Sequence, residues 1–203
     1  MRQRKPAAAK TASPQGDDRS ARERLLAVAG ELFYRQGIRS VGVDEIVACA
    51  DVAKMSLYRS FSSKDELVAA YLRDRNERYW RWWDGVTARH SGHPREQLRG
   101  LFRSLARRAT RSDWRGCPFT NAATEFPEPD HPGRRVAEAN KRELRLRLRE
   151  LARRAGAREP ALLADQLVLL FEGAYSSAQT FGANGPAAAV ADAAAALIEG
   201  AVD

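Results

Sequence analysis

Cysteine and histidine, the residues that most often cross-link small proteins or bind metal ions, are scarce in this sequence of 203 residues. The two cysteines, Cys49 and Cys117, lie far apart and form no C-x-x-C pair, which excludes a disulfide framework and a zinc-finger spacing. None of the three histidines has the i, i+4 partner of a helical zinc site. We therefore expect a reduced, cytoplasmic protein with no metal and no cofactor.

Long apolar runs and strand patterns are also missing. No segment approaches the twenty apolar residues of a transmembrane helix, and the N-terminus lacks the apolar core of a secretory signal. Ala, Leu, Arg and Glu dominate, and 44% of the residues are hydrophobic, enough for a substantial core. These features predict an all-α fold of about nine helices with no membrane contact. Residues 1–19 are expected to be a disordered basic tail; alternatively, they form an arm that adds DNA affinity through Arg2, Arg4, Lys5 and Lys10.

Positive charge is absent from one part of the chain. The net charge is +8, yet residues 160–203 contain no Lys or Arg and five acidic residues, a local charge of −5. A basic body suits a polyanionic partner such as DNA. The Ala- and Leu-rich C-terminal part suits packing of helix against helix, so we expect a homodimer formed through the last two helices.

Helix ends are marked by capping residues. Ser20 with Glu23, and Ser63 with Glu66, have the spacing of capping boxes, and Gly37 is a typical helix stop. The patterns predict the first helix over about 20–36 and a long fourth helix from Ser63. The remaining helices are predicted at 95–111, 118–125, 134–155, 161–180 and 186–201.

The stretch from Val43 to Phe61 has the pattern of two short helices joined by a tight turn. Apolar residues recur at i, i+3, i+4 and i+7 from Val43 to Ala50, and a second stripe opens at Leu57. The intervening turn of about three residues permits only two steeply crossed helices. The spacing predicts a helix-turn-helix, whose second helix enters the major groove of DNA. An ordinary helical hairpin is the alternative.

The outward positions of this second helix carry side chains suited to DNA. Arg59 can reach a guanine edge or a phosphate, and Lys54 can reach a phosphate. Ser56 and Ser60 are small enough to allow close approach, and Met55 also points outward.

Two segments that flank the helix-turn-helix, Arg22–Ile38 (RERLLAVAGELFYRQGI) and Ser62–Leu72 (SSKDELVAAYL), reveal a resemblance. Together with the hairpin, about fifty contiguous residues resemble the DNA-binding domain of TetR-type transcriptional regulators. Arg115–Pro132 is similar to a segment found in one branch of them. The resemblance implies an all-helical homodimer, with a DNA-binding domain over 20–65 and a ligand-binding and dimerisation domain over 66–203.

The resemblance also assigns DNA-backbone contacts to Tyr58 and Lys64. Tyr58 can equally be a half-buried ring that packs the hairpin, whereas Lys64 opens a helix, where free N–H groups favour a phosphate. Gly42 departs from the family pattern, because a Thr or Ser commonly opens the second helix. Glycine caps a helix but offers a phosphate no hydroxyl. In the turn, Asp51 tolerates a left-handed conformation, and Ala53 provides no side-chain cap for the next helix.

The implied effector pocket lies in the C-terminal bundle. Aromatic side chains with a few polar anchors suit such a cavity, although any single ring is by default plain core. This composition indicates an apolar or aromatic ligand. The residues expected to line the pocket are Trp83, Phe102, Trp114, Cys117, Phe119, Asn121, Glu125, Phe126, Phe171, Tyr175, Gln179 and Phe181.

No catalytic arrangement accompanies these features. The GAYSSAQ segment lacks the second glycine of a nucleophile elbow, and no glycine-rich phosphate loop follows a strand. We predict a sequence-specific DNA-binding transcriptional regulator and not an enzyme: a repressor that a small-molecule effector releases from a palindromic operator. The alternatives are a helical enzyme or sensor with a vestigial hairpin, using Cys117 or Glu125, and a DNA-binding activator or nucleoid-type binder.

Overall fold

The computed structural model describes residues 20–111 and 113–202. Within these ranges the chain forms nine α-helices and one turn of 3-10 helix, which confirms the predicted all-α fold and helix number. None of the described helices combines the length and apolar character needed to cross a bilayer. The predicted tail, residues 1–19, lies outside the described residues. The elements are α1 (Ala21–Gln36), α2 (Val43–Cys49), α3 (Lys54–Ser60), α4 (Lys64–Ala88), α5 (Pro94–Ala109), α6 (Pro118–Glu125), α7 (Pro132–Arg154), α8 (Pro160–Phe181), the 3-10 turn (Pro186–Ala189) and α9 (Val190–Ala201).

The predicted caps form at the first and fourth helices. The Ser20 hydroxyl accepts a hydrogen bond from the Glu23 N–H, and the Glu23 carboxylate accepts one from the Ser20 N–H at 2.8 Å, a complete capping box. The Ser63 hydroxyl accepts from the Glu66 N–H at 3.1 Å. Gly37 ends α1 with φ of +93°, a conformation that glycine adopts without steric cost.

Helices α1, α2 and α3 form a compact N-terminal unit. Leu25, Ile46 and Leu57 each come from a different helix of this unit and are fully buried. The turn between α2 and α3 places Asp51 at φ of +50°, as expected from its tolerance of the left-handed region. Leu57 therefore anchors α3 from one side and leaves its opposite side to solvent.

Helices α4 to α9 form the C-terminal bundle; α6 begins at Pro118, as predicted, whereas several of the other helices begin at positions that differ from those predicted. Three of them begin at prolines, Pro94, Pro132 and Pro160, one or two residues before the expected start. Proline is favoured at the first helical position because its missing N–H has no intrahelical partner there. The last predicted helix is divided: Pro186–Ala189 forms the 3-10 turn, and α9 begins at Val190.

Candidate DNA-binding surface and effector site

Helix α3 presents its predicted DNA-binding side chains to solvent. Met55 is 63% exposed and Tyr58 is 46% exposed, while Lys54 and Arg59 are also exposed. Leu57, on the opposite side of the helix, is fully buried. This arrangement leaves one polar and basic side of the short helix α3 available to a groove of DNA.

The flanking positions shape the same surface. Lys54 forms an exposed ion pair with Asp44 at 2.7 Å, which raises the pKa of the Lys54 ammonium, so a phosphate would have to replace this carboxylate. Ser56 is half-buried, and its backbone carbonyl accepts a hydrogen bond from the Ser60 hydroxyl at 2.8 Å. Gly42 is exposed at the N-cap of α2 and makes no side-chain cap, as its residue type requires.

Lys64 is directed differently from the other predicted DNA-binding residues. Its ammonium donates to the backbone carbonyl of Ile38 at 2.7 Å and lies 5.9 Å from the centre of the Phe33 ring. Partial burial lowers the pKa of this ammonium. In the DNA-free chain, Lys64 therefore holds the loop after α1, and a phosphate contact requires its side chain to turn outward.

The aromatic interior of the bundle is filled, contrary to the predicted cavity. Phe102, Phe119 and Phe171 are at most 1% exposed and Trp83 is 4% exposed. The ring centroids of Phe102 and Phe171 lie 4.7 Å apart, a normal packing distance for aromatic pairs. These four residues are core, because their rings pack against neighbouring side chains where a cavity was expected.

An open space lies instead where α1 meets the bundle. This junction cleft has a volume of about 560 Å³. One wall is the C-terminal end of α1, residues 33–37, and the other comes from the segment 115–125 and from α8. The cleft therefore touches both α1 of the N-terminal unit and the bundle.

Five of the predicted pocket residues line the junction cleft, and the others do not. Trp114 stacks on Tyr175 with ring centroids 5.2 Å apart. Phe126 stacks on His131 at 3.8 Å, and Phe181 is 65% exposed. The predicted residues that do line the cleft are Cys117, Asn121, Glu125, Tyr175 and Gln179.

The loop before α6 is clamped to α1 by hydrogen bonds. The Tyr34 hydroxyl donates to the Gly116 carbonyl at 3.2 Å and accepts from the Arg115 N–H at 3.0 Å. Burial raises the pKa of this hydroxyl above its ordinary value. The Arg115 guanidinium also donates to the backbone carbonyl of Arg35 at 2.9 Å. Glycine is favoured at position 116 because φ is +81°, and a Cβ atom there would also push aside Oε1 of the exposed Gln179 side chain, 2.6 Å away.

Glu125, at the end of α6, connects the bundle to the loop that precedes α2. Its carboxylate accepts hydrogen bonds from the backbone N–H groups of Ile38 at 3.0 Å and Arg39 at 2.7 Å. The Arg39 guanidinium lies 5.3 Å from the centre of the Phe126 ring. We call the two carboxylate bonds the Glu125 latch. Both Glu125 oxygens are engaged in these bonds. Glu125 therefore holds the N-terminal unit and is not free to bind a ligand.

A partly buried polar cluster lies beside the cleft. The Lys141 ammonium donates to Sγ of Cys117 at 3.2 Å and forms an ion pair with Glu172. Burial lowers the pKa of Lys141, but the Cys117 and Glu172 neighbours outweigh this and raise it overall. The Thr120 hydroxyl donates to the second Glu172 oxygen at 2.7 Å. In the described part of the chain, no three His, Cys, Asp or Glu residues are grouped as a metal site.

Comparisons with known proteins identify the family to which this chain belongs. Residues 25–71 match the family model for bacterial regulatory proteins of the tetR family. The crystal structure of SCO4454, a TetR-family transcriptional regulator from Streptomyces coelicolor, is 34% identical, with 89% of this chain and 93% of that chain covered and a TM-score of 0.78. The chain belongs to the TetR family of transcriptional regulators.

Two further relatives of this TetR-family regulator extend the comparison. The structure of a TetR-type regulator from Streptomyces avermitilis is 35% identical, with coverage of 90% of this chain and 98% of that chain and a TM-score of 0.82. The transcriptional repressor KstR2 from Mycobacterium tuberculosis is 35% identical over 93 residues, which is 43% of each chain. The residues that match the family model include α3, so the exposed α3 surface belongs to a DNA-binding transcriptional regulator.

Several residues of this TetR-family regulator that form the cleft or lie beside it were not predicted. Tyr34 and Arg115 contact each other although they lie far apart in the sequence. Lys141 and Glu172 belong to different helices of the bundle and meet only in the fold. A sequence signal existed for one part of the clamp: Gly116 follows Arg115 at a break between two helices, where a positive φ is common.

Proposed function

We propose that this regulator binds a pseudo-palindromic operator as a homodimer, with one α3 helix of each protomer in the major groove. The observation that carries the proposal is the exposed side of α3, formed by Lys54, Met55, Tyr58 and Arg59 around the buried Leu57. Arg59 reads a base edge and Lys54 binds a phosphate. Two such helices in successive major grooves are about 34 Å apart.

The outer face of α8 and α9 is the proposed dimer interface. Leu162 is 50% exposed and Leu169 is 72% exposed, and both lie in the segment without Lys or Arg. Gly173 and Ala193 border a groove of about 230 Å³ beside Leu169. A second copy would place its own Leu169 in this groove, and a two-fold axis makes the contact self-complementary.

Repression with release by an effector is the proposed mode of action. The similarity to the repressor KstR2 over 93 residues supports repression. An effector releases DNA only if it binds better to a conformation that does not fit the operator, because equal affinity for both conformations shifts nothing. The junction cleft, which touches both parts of the molecule, is the place where binding can have this effect.

Selection of bound sequences from a random DNA pool, followed by footprinting, tests the proposal. We expect one discrete palindrome, protected by a dimer at physiological salt. An activator would protect a similar site but would raise transcription in vitro, whereas repression lowers it. General coating of DNA would indicate a nucleoid-type binder. No binding at all would favour the sensor or enzyme with a vestigial hairpin.

A further inference from the structure

We propose that the junction cleft is the effector site and that its ligand is a small organic carboxylate held by the Arg115 guanidinium. This inference rests on the proposed function, since it names the site and the chemical class of the effector. It also replaces the apolar or aromatic ligand expected in the bundle interior. A volume of about 560 Å³ lies within the range of small-molecule sites, roughly 300–1,000 Å³.

The hydrogen bonding of the cleft residues favours an anion over a cation. Both oxygens of Glu125 accept backbone N–H groups, and both oxygens of Glu172 accept side-chain donors. Arg35 is paired with Glu31. The two acidic groups of the cleft are therefore already satisfied, and a cationic ligand would have to displace existing partners.

The Arg115 guanidinium has N–H donors that the described contacts do not use. A guanidinium carries five N–H donors, and the described contacts of the Arg115 side chain comprise one hydrogen bond, to the Arg35 carbonyl. No carboxylate of residues 20–111 or 113–202 forms an ion pair with it. A carboxylate can accept two parallel N–H bonds from such a group, which adds geometric selectivity to the charge attraction.

The backbone around Arg115 is fixed before any ligand arrives. Its N–H donates to the Tyr34 hydroxyl at 3.0 Å, and its carbonyl accepts from the Asn121 amide at 2.9 Å. The carbonyl of the next residue, Gly116, accepts a hydrogen bond from the Tyr34 hydroxyl at 3.2 Å, and its φ of +81° favours glycine. Only the Arg115 side chain remains to be ordered, which reduces the entropy lost on binding.

The opposite wall supplies groups for the remainder of the ligand. Ser176 and Gln179 are exposed on α8 and line the cleft, so they can bond a polar substituent. Tyr175 lines the same wall and stacks on Trp114. The site therefore suits a carboxylate with a small polar or ring-shaped body, and Trp114 fluorescence reports its occupancy.

The position of Arg115 provides a way for ligand binding to change operator affinity. Its side chain donates to the backbone of Arg35 in α1, and the same cleft contains the Glu125 latch. A carboxylate that engages the free donors of the guanidinium lies between α1 and α8, beside the Arg35 contact. Ligand affinity therefore depends on the placement of the DNA-binding helices, which is the differential binding that release requires.

Calorimetry and tryptophan fluorescence on the full-length, DNA-free protein test the site independently of DNA binding. The probes are benzoate, 4-hydroxybenzoate and hexanoate at millimolar concentration, with benzamide and hexanamide as matched uncharged compounds. We expect at least one carboxylate to bind and its amide to bind at least tenfold more weakly. Arg115→Gln should weaken the carboxylate at least tenfold and Arg115→Lys less, because lysine keeps the charge without the paired donors. Both variants retain the backbone contacts that hold the loop.

Arg142→Gln is the control, because Arg142 is an exposed arginine on α7 that does not line the cleft. It should bind the carboxylate as the wild type does. Binding of none of the three carboxylates, equal binding of acid and amide, or unchanged binding by Arg115→Gln would overturn the proposed site.

The bound carboxylate should also raise the operator dissociation constant, and the operator should weaken carboxylate binding by the same factor. A carboxylate that binds the cleft but leaves operator affinity unchanged would refute its role as effector. A protein that binds the carboxylate but no DNA sequence would instead refute the proposed function.

Discussion

Replacement of Glu125 by alanine removes a direct connection between α6 of the bundle and the loop before α2. The change deletes two hydrogen bonds from backbone N–H groups, those of Ile38 and Arg39. A hydrogen bond to a charged group contributes about 1.5–3 kcal/mol when buried, and the partial exposure of Glu125 reduces this. We therefore expect the two bonds together to contribute about 2 kcal/mol per protomer.

The loss should appear in operator binding. Without the latch, α1, α2 and α3 have more freedom relative to the bundle, and this freedom must be lost again when both α3 helices enter the DNA. An energy of about 2 kcal/mol corresponds to roughly thirtyfold in affinity. Because only part of it is transmitted to DNA, we expect Glu125→Ala to weaken the operator about five- to thirtyfold. Glu125→Gln should lie between, since an amide oxygen can accept one of the two N–H groups.

Fluorescence anisotropy with labelled operator measures this affinity, and amide hydrogen exchange observes the latch itself. The N–H groups of Ile38 and Arg39 should exchange faster in Glu125→Ala, while the buried amides of the bundle core should not change. Glu128→Ala is the matched control, because Glu128 is an exposed carboxylate of the following loop, 3.9 Å from Arg39. If Glu125→Ala left both the exchange of these two amides and the operator affinity at wild-type values, the latch would not exist in solution.

Four further substitutions test DNA reading, assembly and core packing. Arg59→Ala should cost about 1–3 kcal/mol on the cognate operator and relax its sequence preference in competition binding, whereas Lys54→Ala should weaken all sequences alike and reduce the salt slope by about one. Leu169→Glu should yield folded monomers in sedimentation, because this side chain is 72% exposed; a stable dimer would exclude the α8 and α9 interface. Leu167→Ala should instead lower unfolding free energy by about 2–5 kcal/mol in urea titration, because Leu167 is fully buried.

The comparison of Leu167, Leu169 and Leu170 shows how far sequence reasoning reaches in the dimer helices. The absence of Lys and Arg identifies the segment as a packing surface, but it does not distinguish Leu167, Leu169 and Leu170 from one another. The fold makes Leu167 core and Leu170 half-buried, and it exposes Leu169. Sequence composition identifies an apolar helix, but only the approach of neighbouring helices decides which of its sides faces outward.

The sequence by itself determined the parts that depend on local chemistry. The spacing of apolar residues from Val43 to Phe61 specifies two short helices, and Leu57 on one side leaves the polar residues of α3 on the other. The Ser20 cap and the positive φ of Gly37 and Asp51 follow equally from nearby residues. Helical periodicity and capping act within a few residues, so they can be read along the chain.

Only the tertiary structure decided where the chain leaves an open cleft. Phe102 and Phe171 are of the residue type that often lines a ligand pocket, yet their rings fill the bundle interior. Tyr34 and Arg115 meet across 81 residues of sequence, and Glu125 reaches Ile38 across 87. Whether an aromatic side chain fills a core or lines a cavity depends on how closely the helices approach. That distance is set by all of their packed side chains together, which no single segment specifies.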